Sequence, residues 1–95
     1  MNGYALSFDM DIKLLKQYYG EPYNPAYLEI KKTLEKCGFY WFQGSTYMSG
    51  TSDLTALFNA MMTLKKIDWF CKSVRDIRGY KVEDWSDFTA LIKEP

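Results

Sequence analysis

The spacing of apolar and polar residues changes several times along this chain, and each change predicts an element. Tyr4-Ala5-Leu6-Ser7-Phe8 is short, apolar and aromatic, and it ends at Asp9, the pattern of a buried first strand. Asp11 to Tyr19 reads as a short helical segment stopped by Gly20. Asn24-Pro25 is a firmer helix start: Asn caps, and Pro takes the first helical position, where no N–H is needed. From there Tyr27, Ile30, Leu34 and Cys37 recur on one face, with Glu29, Lys31, Lys32, Glu35 and Lys36 elsewhere, and Gly38 closes the helix.

Aromatic Phe39 to Gln43 predicts a strand, Gly44-Ser45 a turn and Thr46-Tyr47-Met48 a second strand, which together make a hairpin. After the loop Ser49-Gly50-Thr51, Ser52 is the expected cap of a helix. Leu54, Leu57, Phe58, Met61 and Leu64 repeat at helical spacing to about Lys66 and are expected in the core. Asp68 to Lys72 predicts an extra helical turn. Ile77 to Glu83 predicts the last main strand, with Arg78 breaking a clean alternation, and Ser86 the cap of a short C-terminal helix holding Phe88, Leu91 and Ile92. The expected order is β-α-β-β-α-β plus a C-terminal appendage. That is an α+β, ferredoxin-like arrangement: a four-stranded antiparallel sheet with two helices on one face and the other face open.

At 95 residues this is one domain with a thin core. Eight Tyr, six Phe and three Trp exceed what such a core readily holds, which hints at an interface. Twelve basic and twelve acidic residues cancel, so bulk charge gives no argument for nucleic acid, and any RNA chemistry must rest on local geometry. Histidine is absent, which excludes imidazole-based triads and the two-histidine ribonuclease design. Cys37 and Cys71 lack metal-ligand spacing and read as buried free thiols. No apolar run is long enough to span a bilayer and no signal-peptide pattern opens the chain, so a cytoplasmic protein without membrane contact is expected.

Four groups are candidates for chemistry. Asp9 follows the first strand at a strand end, where a carboxylate serves as general base or holds a divalent cation; the plain alternative is that it starts the next helix. Gln43-Gly44-Ser45 offers a hydroxyl and close backbone approach to a phosphate, or is simply a hairpin turn. In Ser73-Val74-Arg75-Asp76-Ile77-Arg78, Arg75 and Arg78 can bind phosphates while Asp76 positions them or a metal; the alternative is an Arg–Asp tie between loop and strand, or between subunits. Trp69, Phe70 and Trp85 can stack on bases, although core or dimer packing is the commoner fate.

Six stretches in order, spread over nearly the whole chain, resemble the virulence-associated protein D (VapD) family. They are Tyr4-Ala5-Leu6-Ser7-Phe8-Asp9, Ala26-Tyr27, Gly38-Phe39, Gln43-Gly44-Ser45-Thr46-Tyr47, Ser73-Val74-Arg75-Asp76-Ile77-Arg78 and Trp85-Ser86-Asp87-Phe88-Thr89. The start is two residues longer than the family's usual Met-Tyr opening, and Ser7 and Gly79 stand where Ala is expected. The resemblance implies a dimeric ferredoxin-like protein, similar in structure to a CRISPR-associated endoribonuclease family. It further implies the ribonuclease toxin of a toxin–antitoxin module, acting on cellular or messenger RNA, with a protein antitoxin as partner. It marks Asp9 as the catalytic aspartate and matches Ser45 and Asp76 to the family's proposed site. Arg75, Arg78 and Tyr47 are added from charge and chemistry, as phosphate ligands and as a source of the leaving-group proton.

The expectation is therefore an RNA endonuclease working as a homodimer, one Asp9 from each subunit facing a shared cleft. Asp9 either ligates Mg²⁺ or Mn²⁺ or deprotonates the RNA 2′-hydroxyl without metal. The rival is a non-catalytic adaptor dimer that binds nucleic acid or protein across its sheet.

Overall fold

Strand β1 (Gly3–Met10) occupies an inner position in the sheet because its two faces are each suited to a different surface. Alternation sends Leu6, Phe8 and Met10 into the core, while Ala5, Ser7 and Asp9 face the other way. The computed structural model describes residues 3–95. The other elements are α1 (Ile12–Tyr18), α2 (Asn24–Lys36), β2 (Phe39–Gln43), β3 (Thr46–Ser49), α3 (Leu54–Lys65), α4 (Asp68–Ser73), β4 (Val74–Val82) and α5 (Thr89–Lys93). The strands pair antiparallel in the order β2-β3-β1-β4, which is the ferredoxin-like split β-α-β arrangement expected from the sequence. Leu6, Phe8, Phe39 and Tyr47 from the sheet meet Ala26, Ile30 and Leu34 of α2 and Leu57, Ala60 and Leu64 of α3, so both long helices cover one face.

Several boundaries differ from expectation for local reasons. Asn24 makes no cap bond; Tyr23 already has helical φ/ψ and stands at the cap position. The cap of α3 is Asp53, whose carboxylate accepts from Thr55 N at 2.9 Å, not Ser52. Asp87, not Ser86, accepts from Thr89 N at the start of α5, which leaves Phe88 outside the helix. On α3, Leu57 and Leu64 are buried, but Leu54 and Phe58 are exposed. Thr55, Asn59 and Thr63 form only a narrow polar stripe, and apolar residues flank it on both sides, so the apolar period alone does not fix which face turns inward. Here Ala60 sits at 0% exposure and lets the helix approach the sheet. Cys37 and Cys71 are free thiols as expected, but Cys71 is exposed and Cys37 only half-buried.

The largest boundary shift is in β4, which starts at Val74 rather than Ile77. Val74 pairs with Met10 and Asp76 with Asp9, so Arg75 is an extra residue, a β-bulge. Phe42 occupies the same position in β2, between the pairs Trp41–Tyr47 and Gln43–Thr46. A bulge turns two consecutive side chains towards one face. Charged residues at exposed strand positions look like loop in a sequence; pairing with β1 overrides that preference.

Two glycines sit under close contacts of different kinds. A Cβ at Gly3 would lie 2.3 Å from the Ser49 carbonyl oxygen, which is backbone, whereas one at Gly79 would meet only the tips of Leu57 and Met61, the nearest at 2.8 Å. Gly3→Ala is therefore expected to cost about 1–3 kcal/mol, and Gly79→Ala clearly less, in denaturant melts. Equal costs would mean that Ser49 yields as easily as Leu57 does.

Candidate active site on the open sheet face

The open face carries the polar half of β1 and its neighbours. Asp9 and Asp76 are register partners, as are Ser7 and Arg78, and Ala5 and Tyr80. On the other side of β1, Ser7 pairs with Thr46 and Ala5 with Met48. Directly opposed residues in such a pair stand about 4.5–5.5 Å apart at Cα, so the two carboxylates share one row. Ser7, Asp9, Asp76, Arg78 and Tyr80 line a shallow hollow of about 230 Å³ there.

Asp9 does not start the helix that follows it. Asp11 does so, accepting from Leu14 N at 3.1 Å, while its own N–H donates to the Ser73 carbonyl. The Asp9 carboxylate instead faces the Arg75 guanidinium, whose Nη1 donates to Oδ2 at 3.3 Å; Nη2 lies 3.8 Å from Asp11. The bulge makes this possible by turning Arg75 to the same side as Asp76. One row along, Arg78 Nε donates to both oxygens of Asp76, at 3.0 and 3.3 Å. That hydrogen bond, reinforced by the carboxylate's charge, holds the Arg78 pKa above its ordinary value. Both arginines reach carboxylates of this sheet face with one or two donors, and a guanidinium has five, so each retains N–H groups for an anion.

Three hydroxyl groups complete the face. Ser7 Oγ lies 3.1 Å from Thr46 Oγ1 and 2.9 Å from Tyr80 Oη, a hydrogen-bonded chain across three strands beside the acidic row. The sequence reading passed over these residues, although the signal was present: Ser7 lies two residues before Asp9 and Tyr80 four after Asp76, the period that shares a strand face.

Ser45 and Tyr47 are not brought into this group. The Ser45 carbonyl accepts from Phe8 N at 3.2 Å, which fixes the turn at the same end of the sheet. Its side chain lines a different hollow of about 640 Å³, with Tyr27, Lys31, Trp41 and Tyr47. Tyr47 is 4% exposed, packs against Phe8 with ring centroids 6.1 Å apart, and faces the helices. Burial, followed by the charge of Glu35, raises its pKa. Of the candidate stacking residues, Phe70 is in the core, Trp69 packs edge-on against Tyr19 at 4.8 Å, and Trp85 is half-exposed against Phe42.

A divalent cation would have Asp9 and Asp76 as its carboxylate ligands here. Among the described residues no group of three or more His, Cys, Asp or Glu is arranged to hold a metal. A pair of carboxylates still suits Mg²⁺, which commonly takes one or two of them and completes its shell with water and substrate phosphate. No helix among the described residues is long and apolar enough to cross a membrane.

No family model matches the chain. It is 60% identical over 90 residues to a protein named endoribonuclease VapD from Dichelobacter nodosus, covering 95% of this chain and 97% of that one. A Helicobacter pylori protein of the same name is 51% identical over 92 residues, covering 95% and 98%. A third, from Haemophilus influenzae, is 41% identical over 90 residues with the same coverage of 95% and 98%.

Exposed ion pairs contribute about 0–1 kcal/mol each, so the Arg75 contacts position groups rather than hold the fold. Arg75→Gln is expected to leave the unfolding free energy within about 1 kcal/mol of wild type. A larger loss in urea melts would make Arg75 a structural tie between β1 and β4.

Proposed function

We propose that this chain, which belongs to the VapD family of endoribonucleases, cleaves single-stranded RNA on its open sheet face, with Asp9 as the general base. Cleavage within RNA is the activity in the names of its relatives at 41–60% identity. The observation that carries the choice of site is the row Asp9–Asp76 flanked by Arg75 and Arg78 on an exposed sheet face. In this reading Asp9 takes the proton of a 2′-hydroxyl, and that oxygen attacks the adjacent phosphorus. The 5′-oxygen of the next nucleotide leaves, and a 2′,3′-cyclic phosphate remains. The spare N–H groups of Arg75 and Arg78 stabilise the charge that grows on the phosphoryl oxygens. Tyr47, turned into the core, has no path to the leaving oxygen, so the proton comes from water or from the Tyr80 hydroxyl, which lines the same hollow as Asp9.

The opposition of Asp9 and Asp76 favours one second reading, in which both hold Mg²⁺ or Mn²⁺ together with a substrate phosphate. Such an ion supplies activated water and charge neutralisation. It has to share both carboxylates with the arginines, whereas the metal-free reading needs only the Asp9 oxygen that Arg75 leaves free.

The proposal includes a second copy. Helix α5 buries none of its residues, and Phe88, Leu91 and Ile92 are 60%, 66% and 79% exposed. The radius of gyration is 14.7 Å, against about 12 Å for a compact chain of this length. A projecting apolar arm of this kind suits contact with a partner subunit, which brings a second Asp9 to the cleft. The family resemblance adds the wider setting: a toxin acting on messenger RNA in the cytoplasm, restrained by a protein antitoxin.

Asp9→Asn is expected to slow single-turnover cleavage of a labelled single-stranded RNA by about 10²–10⁴-fold, while Tyr47→Phe stays within a few-fold of wild type. Equal cleavage by wild type and Asp9→Asn would remove Asp9 from the mechanism. The double variant Leu91→Glu, Ile92→Glu is expected to halve the mass measured by light scattering; an unchanged dimer would move the subunit contact away from α5.

A further inference from the structure

We infer that the open face carries a second subsite, an aromatic slot beside the acidic row that takes one unpaired nucleobase of the RNA. The inference rests on the RNA reading above and extends it from the phosphate to the base. The slot encloses about 310 Å³, the lower end of the range for small-molecule sites. Ala5 and Met48, both buried, form its floor. Tyr80 stands on one side; Phe42 stands on the other, with Trp85 edge-on against it at 5.1 Å.

Three observations point to a base. First, Phe42, Tyr80 and Trp85 are 38%, 45% and 44% exposed, on the sheet face that the long helices leave uncovered. Aromatic rings on an open sheet are the common platform for stacking unpaired bases. Second, the bulge at Phe42 puts that ring beside the Gln43 side chain, with Thr46 next to it. An amide and a hydroxyl at the rim of a stacking slot supply hydrogen bonds to a base edge. Third, the slot adjoins the acidic row. Tyr80 lines both hollows, and Arg78 lies two residues before it on β4, about 7 Å along the strand.

Charge separates the two subsites. Lys81, Glu83 and Asp84 line the slot. Lys81 Nζ lies 3.5 Å from Glu83 and offsets it, so Asp84 leaves the slot with a single net negative charge, which favours the amino groups of a neutral base over a phosphate. The guanidiniums lie at the other end, beside Asp9 and Asp76. A nucleotide therefore fits in one direction, with its base in the aromatic slot and its phosphate towards Arg78.

The test uses a fluorescein-labelled 2′-O-methyl RNA decamer in EDTA, which neither mechanism cuts, and reads binding by anisotropy. Phe42→Ala and Trp85→Ala are expected to weaken binding about 5- to 150-fold. Phe42→Leu, which keeps bulk but not the ring, is expected to weaken it as well, with an unchanged melting curve. Decamers with an abasic residue at each position in turn identify the base involved. That oligomer should lose affinity for wild type and lose nothing further for Phe42→Ala. Unchanged affinity in all three variants overturns the subsite. A fall in light-scattering mass for Phe42→Leu also overturns it, because the slot is then a subunit contact. Cleavage of unmodified RNA is measured in parallel. If wild type cuts while binding ignores Phe42 and Trp85, the subsite fails alone. If binding depends on them and nothing is cut, the nuclease reading fails and the base site stands.

Discussion

The pairing of β1 with β4, interrupted by one extra residue at Arg75, sets the position of every charged group on the open face. Without the bulge, Arg75 would point towards the helices and Asp9 would have no guanidinium beside it. With it, Arg75 and Asp76 project side by side and meet Asp9 and Asp11. β1 serves two purposes at once. Leu6, Phe8 and Met10 anchor it in the core, so Ser7 and Asp9 on its other face have little positional freedom. The rigidity of the site is borrowed from the packing behind it, which is how a small domain positions a few polar groups without a deep pocket.

The electrostatics of the site follow from the same geometry. The chain has no net charge, so nothing draws RNA to it from a distance. The local pattern is alternation: carboxylate against guanidinium at Asp9–Arg75 and again at Asp76–Arg78. Such a row presents both a base and phosphate-binding donors within one nucleotide's reach, without the long-range field of a basic groove. Aromatic stacking would then supply the affinity that charge does not, which links the acidic row to the slot formed by Phe42, Tyr80 and Trp85.

Much of the fold was legible in the sequence. β1 showed as a short apolar run, the hairpin by its Gly44-Ser45 turn and α2 by its period between Pro25 and Gly38, and the ferredoxin-like order follows from them. The start of β4 was not legible, because Arg75 and Asp76, before the expected start at Ile77, look like loop until β1 supplies their partners. The outward turn of Leu54 and Phe58 was hidden because the apolar residues of α3 extend well round the helix beside the narrow Thr55–Asn59–Thr63 stripe, and Ala60 decides which face approaches the sheet. Position at a strand end left Asp9 between a general base and a helix start, and the family resemblance singled it out. The clustering of Arg75, Asp76 and Arg78 marked them without choosing between phosphate binding and an Arg–Asp tie. The sequence alone did not tell the two sheet faces apart, so Tyr47 was grouped with residues that lie on the opposite side. The Thr46–Ser7–Tyr80 hydroxyl chain was missed because its members are far apart in sequence and ordinary in type.

The central claim is that Asp9 activates the RNA's own 2′-hydroxyl, and the chemistry of the cut ends tests it most directly. Purified protein would be incubated with single-stranded RNA in EDTA and the products identified by mass spectrometry. The account predicts 2′,3′-cyclic phosphate and 5′-hydroxyl ends, formed at the same rate without divalent cations. Products with 3′-hydroxyl and 5′-phosphate ends, appearing only when Mg²⁺ or Mn²⁺ is restored, would contradict it and assign Asp9 and Asp76 to a metal instead.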